Sequence, residues 1–91
     1  MISRQLWIAG RVQGVYLRAN LRVAAERLGL TGWVRNRPDG RVECCVQGGE
    51  RQIAQFIDWI KSSPGQAKVV AVTVAEAAPE PLTTFTIRPT E

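Results

Sequence analysis

Histidine is missing altogether from these 91 residues. That removes the commonest general base and the commonest metal ligand, so any catalysis has to rest on other groups. Cysteine is confined to one adjacent pair, Cys44 and Cys45. Successive strand residues point to opposite faces, so the two are badly placed to bridge each other. A lone adjacent pair also lacks the spacing of a zinc site. Two reduced thiols are expected, Cys44 inward and Cys45 outward, the latter free to cross-link chains in oxidising buffer. No apolar run approaches the ~20 residues of a membrane-spanning helix. The N-terminus, MISRQLWIAG, has neither the apolar segment nor the small-residue cleavage site of a signal peptide. The expected setting is the cytoplasm, with no membrane partner. Lysine is scarce as well: ten of the twelve basic residues are arginine.

What is present starts with those arginines. The net charge is +4, and Arg11, Arg18, Arg35, Arg37 and Arg41 flank two loops. Arginine suits planar, bidentate binding of phosphate or carboxylate, although a solvated basic face is the simpler account of most of them. The length suits a single domain spanning residues 1–91.

Hydrophobic periodicity divides the chain into seven elements. Gln5 to Val12 alternates, with Leu6, Ile8, Gly10 and Val12 on one side and Trp7, Ala9 and Arg11 on the other, which predicts a strand. Leu17, Leu21, Ala24, Ala25 and Leu28 then recur at helical spacing, with Gly29 where a helix ends. Thr31–Arg37 and Arg41–Gln47 read as two strands of a hairpin around Pro38-Asp39-Gly40. Ile53, Phe56, Ile57 and Ile60 mark a second helix, closed near Pro64-Gly65. Lys68–Ala75 is a valine-rich strand, Ala77–Pro81 a loop with two prolines, and Thr83–Arg88 a short final strand. The order β-α-β-β-α-β predicts an α+β, ferredoxin-like fold: an antiparallel sheet with two helices on one face, plus a short C-terminal edge strand. That plan hosts many unrelated functions and names none.

Two stretches carry chemistry. GRVQGVYLR, residues 10–18, ends a strand and starts a helix. The first N–H groups of a helix have no internal partners and carry partial positive charge. A glycine loop can turn successive N–H groups inward as an anion nest, with Gly14 supplying the backbone freedom and Arg18 a fork of donors. A strand-to-helix turn with an ordinary surface arginine reads the same way, and G-x-x-x-G is a weak motif. The second stretch is TGWVRNRPDGRVE, residues 31–43. Asn36 near its strand end can donate and accept at once, so it can hold a water, although asparagine before a turn is also ordinary turn chemistry.

Together, in this order and spacing, the loop, the GWVRN strand and the PDGRVE hairpin resemble the acylphosphatase family. The likeness runs through the second helix and the valine strand to the terminal FTIR. It implies hydrolysis of the carboxyl-phosphate bond of acyl phosphates, releasing inorganic phosphate, with no metal and no cofactor. It further implies that backbone N–H groups of Gln13, Gly14, Val15, Tyr16, Leu17 and Arg18 surround the phosphate. Arg18 corresponds to the phosphate-binding arginine and Asn36 to the asparagine that orients the attacking water. Leu17 departs from the family's usual aromatic, and Pro64-Gly65 reverses the usual order. Arg37 replaces a residue that is often smaller; it either adds charge near the acyl end or points to solvent on the opposite strand face.

The expected partner is a small-molecule acyl phosphate acted on by a monomer, with no nucleic acid. Two other readings stay open: a non-catalytic phosphate-binding or regulatory domain of the same fold, and an RNA-binding module. The last needs stacking aromatics on the central strands, where Trp7 stands almost alone beside Glu43, Cys45 and Gln47.

Overall fold

A computed structural model describes residues 1–91. The elements are β1 (Ile2–Arg11), α1 (Leu17–Arg27), β2 (Thr31–Asn36), β3 (Val42–Gly48), α2 (Glu50–Lys61), β4 (Lys68–Glu76) and β5 (Phe85–Ile87). The order is the expected one. The five strands form one sheet in the order β4-β1-β3-β2-β5. The first four pair antiparallel, whereas β5 runs parallel to β2, so the sheet is mixed.

Alternation places the core. Leu6, Ile8, Val34, Val42, Cys44, Val46 and Phe85 share one face of the sheet and pack in a single cluster with Leu17, Leu21 and Ala25 of α1 and Ile53, Phe56 and Ile60 of α2. Each large apolar side chain so buried contributes about 1.5–3 kcal/mol relative to exposure. Leu17 is among them, 1% exposed. It therefore fills the inner side of the strand-to-helix junction as an aliphatic plug. Helix α1 is capped at its C-terminal end by Leu28, and Gly29 follows at φ +71°.

Three sequence expectations need correction. Strand β1 begins at Ile2, three residues before the alternation is clear, because Ile2 pairs with Gly48 and Arg4 with Glu76 at the far end of the sheet. The ladder is set by partners distant in sequence, which local periodicity does not see. Similarly, the last strand shrinks from Thr83–Arg88 to Phe85–Ile87.

The third correction concerns Cys45. It does point away from the helices, but it is buried, only 3% exposed. Strands β4 and β5 lie at opposite edges of the sheet, so the connection between them must cross it. It crosses the face without helices: Ala77 N–H donates to the Ser3 carbonyl, Gln47 and Glu80 exchange two hydrogen bonds of 2.9 and 2.5 Å, and Gly32 N–H donates to the Thr84 carbonyl. Residues 77–84 thus form a strap over the row Ser3–Gln47–Thr31. Burial pushes the Cys44 thiol well above its ordinary value and raises Cys45 too, against a hydrogen bond with Ser3 Oγ that favours the thiolate. Buried, protonated thiols are inert. An aromatic disulfide reagent is therefore expected to titrate neither cysteine in the native protein and both after unfolding in guanidinium; reaction of one thiol per folded chain would contradict this burial.

Candidate active site

The loop between β1 and α1 adopts an unusual backbone. Gly14 has φ +72° and Tyr16 φ +60°. A glycine takes the first at no steric cost. A Cβ at Gly14 would meet nothing within 4 Å, so the space above it is open. The left-handed conformation at Tyr16 costs a non-glycine residue on the order of 1 kcal/mol, a kind of strain found where function needs it. Its side chain is 79% exposed, so packing does not repay that cost. Tyr16 sits at the N-cap of α1 and makes no side-chain cap. The first turn of α1 holds no acidic residue, whereas that of α2 holds Glu50. The helix end thus offers uncapped N–H groups and partial positive charge to an incoming anion.

These residues surround a pocket of about 380 Å³, lined by Val12, Gly14, Tyr16, Leu17, Arg18, Ala19 and Ile87. Arg18 is half-buried and belongs to none of the protein's ion pairs. Val15 and Leu17 turn inward to the core while Tyr16 turns out. Of the sequence candidates, Gly14, Tyr16, Leu17 and Arg18 line the pocket, and Gln13 and Val15 belong to the same loop without lining it.

Asn36 comes from a different element. It is the last residue of β2 and pairs with Val42, on the same side of the sheet as Val34. Val34 in turn pairs with Ile87, which lines the pocket. Two residues along a strand span about 6.6 Å, so Asn36 lies at the pocket's margin rather than in its wall. Its Oδ1 is buried and has no hydrogen-bond partner in the protein. A buried amide oxygen left unpaired costs about 1–3 kcal/mol, so a polar molecule is expected against it. Thr31 Oγ1 and Trp33 Nε1 are also unpaired, but both side chains lie on the opposite face of the sheet from Asn36.

The flanking arginines resolve differently. Arg35 Nε donates to Glu43 Oε1 at 2.7 Å, and Arg37 Nη1 reaches the same oxygen at 3.5 Å. Gln5 Nε2 donates to Glu43 Oε2 at 2.6 Å. Donating this hydrogen bond to the Glu43 carboxylate raises the Arg35 pKa further. Arg37 therefore lies on the face away from Asn36, and there it is held by Glu43 and by the Trp7 ring, 5.8 Å away, rather than lying free in solvent. Arg41 covers the same Trp7 ring at 4.8 Å, and Arg35 and Arg88 cover Trp33 at 4.9 and 4.4 Å. Guanidinium groups thus occupy the aromatic faces on which an RNA-binding sheet would stack bases.

Sequence reading missed two contributors. One is Ile87, whose apolar alternation with Phe85 was visible but whose place beside the loop depends on the parallel β5–β2 pairing. The other is the side chain of Gln13, whose Nε2 donates to the carbonyl oxygens of Arg37, at 2.8 Å, and Arg41, at 3.0 Å.

An uncapped helix end, an arginine and an unpaired amide oxygen grouped at one end of the strands of a ferredoxin-like sheet define an α+β protein equipped to handle a small anion. The acylphosphatase family model matches residues 4–87. An acylphosphatase of Gloeobacter violaceus is 45% identical over 86 residues, covering 94% of this chain and 92% of its own. One from Thiobacillus denitrificans is 49% identical over 80 residues, covering 88% and 90%. The crystal structure of acylphosphatase from Bacillus subtilis superposes with a TM-score of 0.93 at 35% identity, over 97% of this chain and 99% of that one. The chain belongs to the acylphosphatase family, and its activity is that of an acylphosphatase.

Proposed function

We propose that the N–H groups of Gln13 to Arg18 and the Arg18 guanidinium hold the phosphoryl group of an acyl phosphate, and that Asn36 presents the attacking water. The observation that carries this reading is the buried, unpartnered Oδ1 of Asn36 beside the loop. A water donating one proton to that oxygen has its lone pair free for phosphorus. Its oxygen bonds to phosphorus as the bond from phosphorus to the acyl oxygen breaks. The bonding pair leaves with the carboxylate, and the water's proton passes to a phosphate oxygen.

Carboxylate is a good leaving group, so no strong general acid is required. Charge on the transferring phosphoryl group is met by donors already in place, and Asn36 contributes position more than basicity. This account needs no histidine, metal or cofactor. In this reading residues 1–91 act as one domain, as a monomer in the cytoplasm.

A synthetic acyl phosphate such as benzoyl phosphate tests the scheme. Hydrolysis is expected at an unchanged rate with excess EDTA, with inorganic phosphate inhibiting competitively. Loss of activity on chelation, restored by a divalent cation, would overturn the metal-free mechanism.

A further inference from the structure

We infer that the Gln13 side chain is a positioning residue, setting the distance between the phosphate loop and the water held by Asn36. The inference rests on the catalytic reading proposed above and assigns Gln13 a task separate from its backbone N–H.

The two halves of the site sit on different elements. The loop follows β1, and Asn36 ends β2. The last rung joining these parts of the sheet is Ile8–Val42–Asn36. Beyond it, Gly10 and Arg11 pair only with β4, after a register shift at Ala9/Gly10. The chain therefore leaves β3 before it reaches the loop, and no backbone ladder ties the loop to the hairpin that follows Asn36.

Gln13 supplies that tie. Its amide donates both protons, one to each of two carbonyl oxygens of the β2–β3 turn. These oxygens belong to Arg37, the residue after Asn36, and Arg41. The turn is itself closed by Arg37 N–H donating to the Arg41 carbonyl at 2.9 Å and Gly40 N–H donating to the Arg37 carbonyl at 3.1 Å. One end of the amide's stem is thus fixed to the residue before Gly14, and the other to a turn that is rigid by its own hydrogen bonds. In-line displacement is sensitive to separation: a misplacement of about 1 Å can cost roughly 100-fold in rate.

The test compares Gln13→Ala with Gln13→Met, which keeps the length and loses both donors, each alone and combined with Asn36→Ala. Benzoyl phosphate turnover and the inhibition constant of inorganic phosphate are measured, with a melting curve for every variant. The expected result is a kcat about 10- to 100-fold lower in both single variants, with the phosphate inhibition constant within about 3-fold of the parent. Because Gln13 acts through Asn36, its replacement is expected to add almost nothing once Asn36 is alanine. Three results would overturn the inference: an unchanged kcat in a folded Gln13 variant, an inhibition constant that rises in step with the loss of kcat/KM, or losses that multiply in the double variant. If Gln13→Ala does not fold, Gln13→Met alone decides. An inactive Asn36→Ala beside a fully active Gln13→Met sinks only this inference, whereas a fully active Asn36→Ala sinks the water assignment itself.

Discussion

Benzoyl phosphate hydrolysis is expected to fall by about 1,000-fold or more when Arg18 is replaced by alanine, the range seen when a guanidinium is withdrawn from a transferring phosphoryl group. That factor corresponds to about 4 kcal/mol of lost transition-state stabilisation. The folded state should scarcely notice, because Arg18 belongs to none of the protein's ion pairs and the adjacent Leu17 supplies the core contact. A second signature separates charge from shape. Arg18→Lys keeps one positive charge without the planar fork, so it should recover only part of the rate and part of the phosphate inhibition. A folded Arg18→Ala protein with full activity would refute the assignment of this residue.

Asn36→Ala is expected to cost about 100- to 1,000-fold in kcat, the penalty for losing a single well-placed polar partner. Inhibition by inorganic phosphate should stay near the parent value, since Asn36 lies at the margin of the pocket and outside its wall. The pairing of these outcomes is what matters. Arg18→Ala should weaken both phosphate binding and turnover, and Asn36→Ala should impair turnover alone. Asn36 Oδ1 makes no hydrogen bond to the rest of the protein, so the variant is expected to melt near the parent temperature. A lower melting temperature together with weakened phosphate inhibition would mean that Asn36 supports the loop instead of presenting water.

Much of this was legible from residue order, and the parts that were not share a cause. The helices, the hairpin and the core face follow from periodicities that lie within ten or twelve residues of each other. Leu17, Leu21 and Ala25 announce a buried stripe without any knowledge of what covers it. The bend of the strand-to-helix loop was legible because glycine placement and helix-start chemistry are local as well. By contrast, the start of β1 at Ile2, the parallel direction of β5 and the burial of Cys45 all depend on segments far apart in sequence. Cys45 was placed on the correct face, and its exposure was misjudged because the strap that hides it comes from residues 77–84. Arg37 is similar: its face was readable from alternation, but its hold by Glu43 required the β2–β3 register. The Gln13 amide belongs to the same class, since its acceptors lie on a turn more than twenty residues away.

The strand order has a consequence for how this chain comes to fold. Its first strand sits second from one edge, between β4 and β3, so the earliest residues made wait for partners from the middle and the end of the chain. Arg4 meets Glu76 only after both helices have been synthesised. Pairings of such wide sequence separation must pay loop-closure entropy before they gain contacts, and mixed α/β domains fold more slowly than helical bundles of similar length. The strap and β5 can settle only once the sheet they cross exists. The loop after β1 and the end of β2 are brought side by side by the same β1–β3 closure, so the proposed site is expected to assemble late. Helical signal is expected to return before hydrolysis on refolding, because hydrolysis needs the strands that carry the site to be paired.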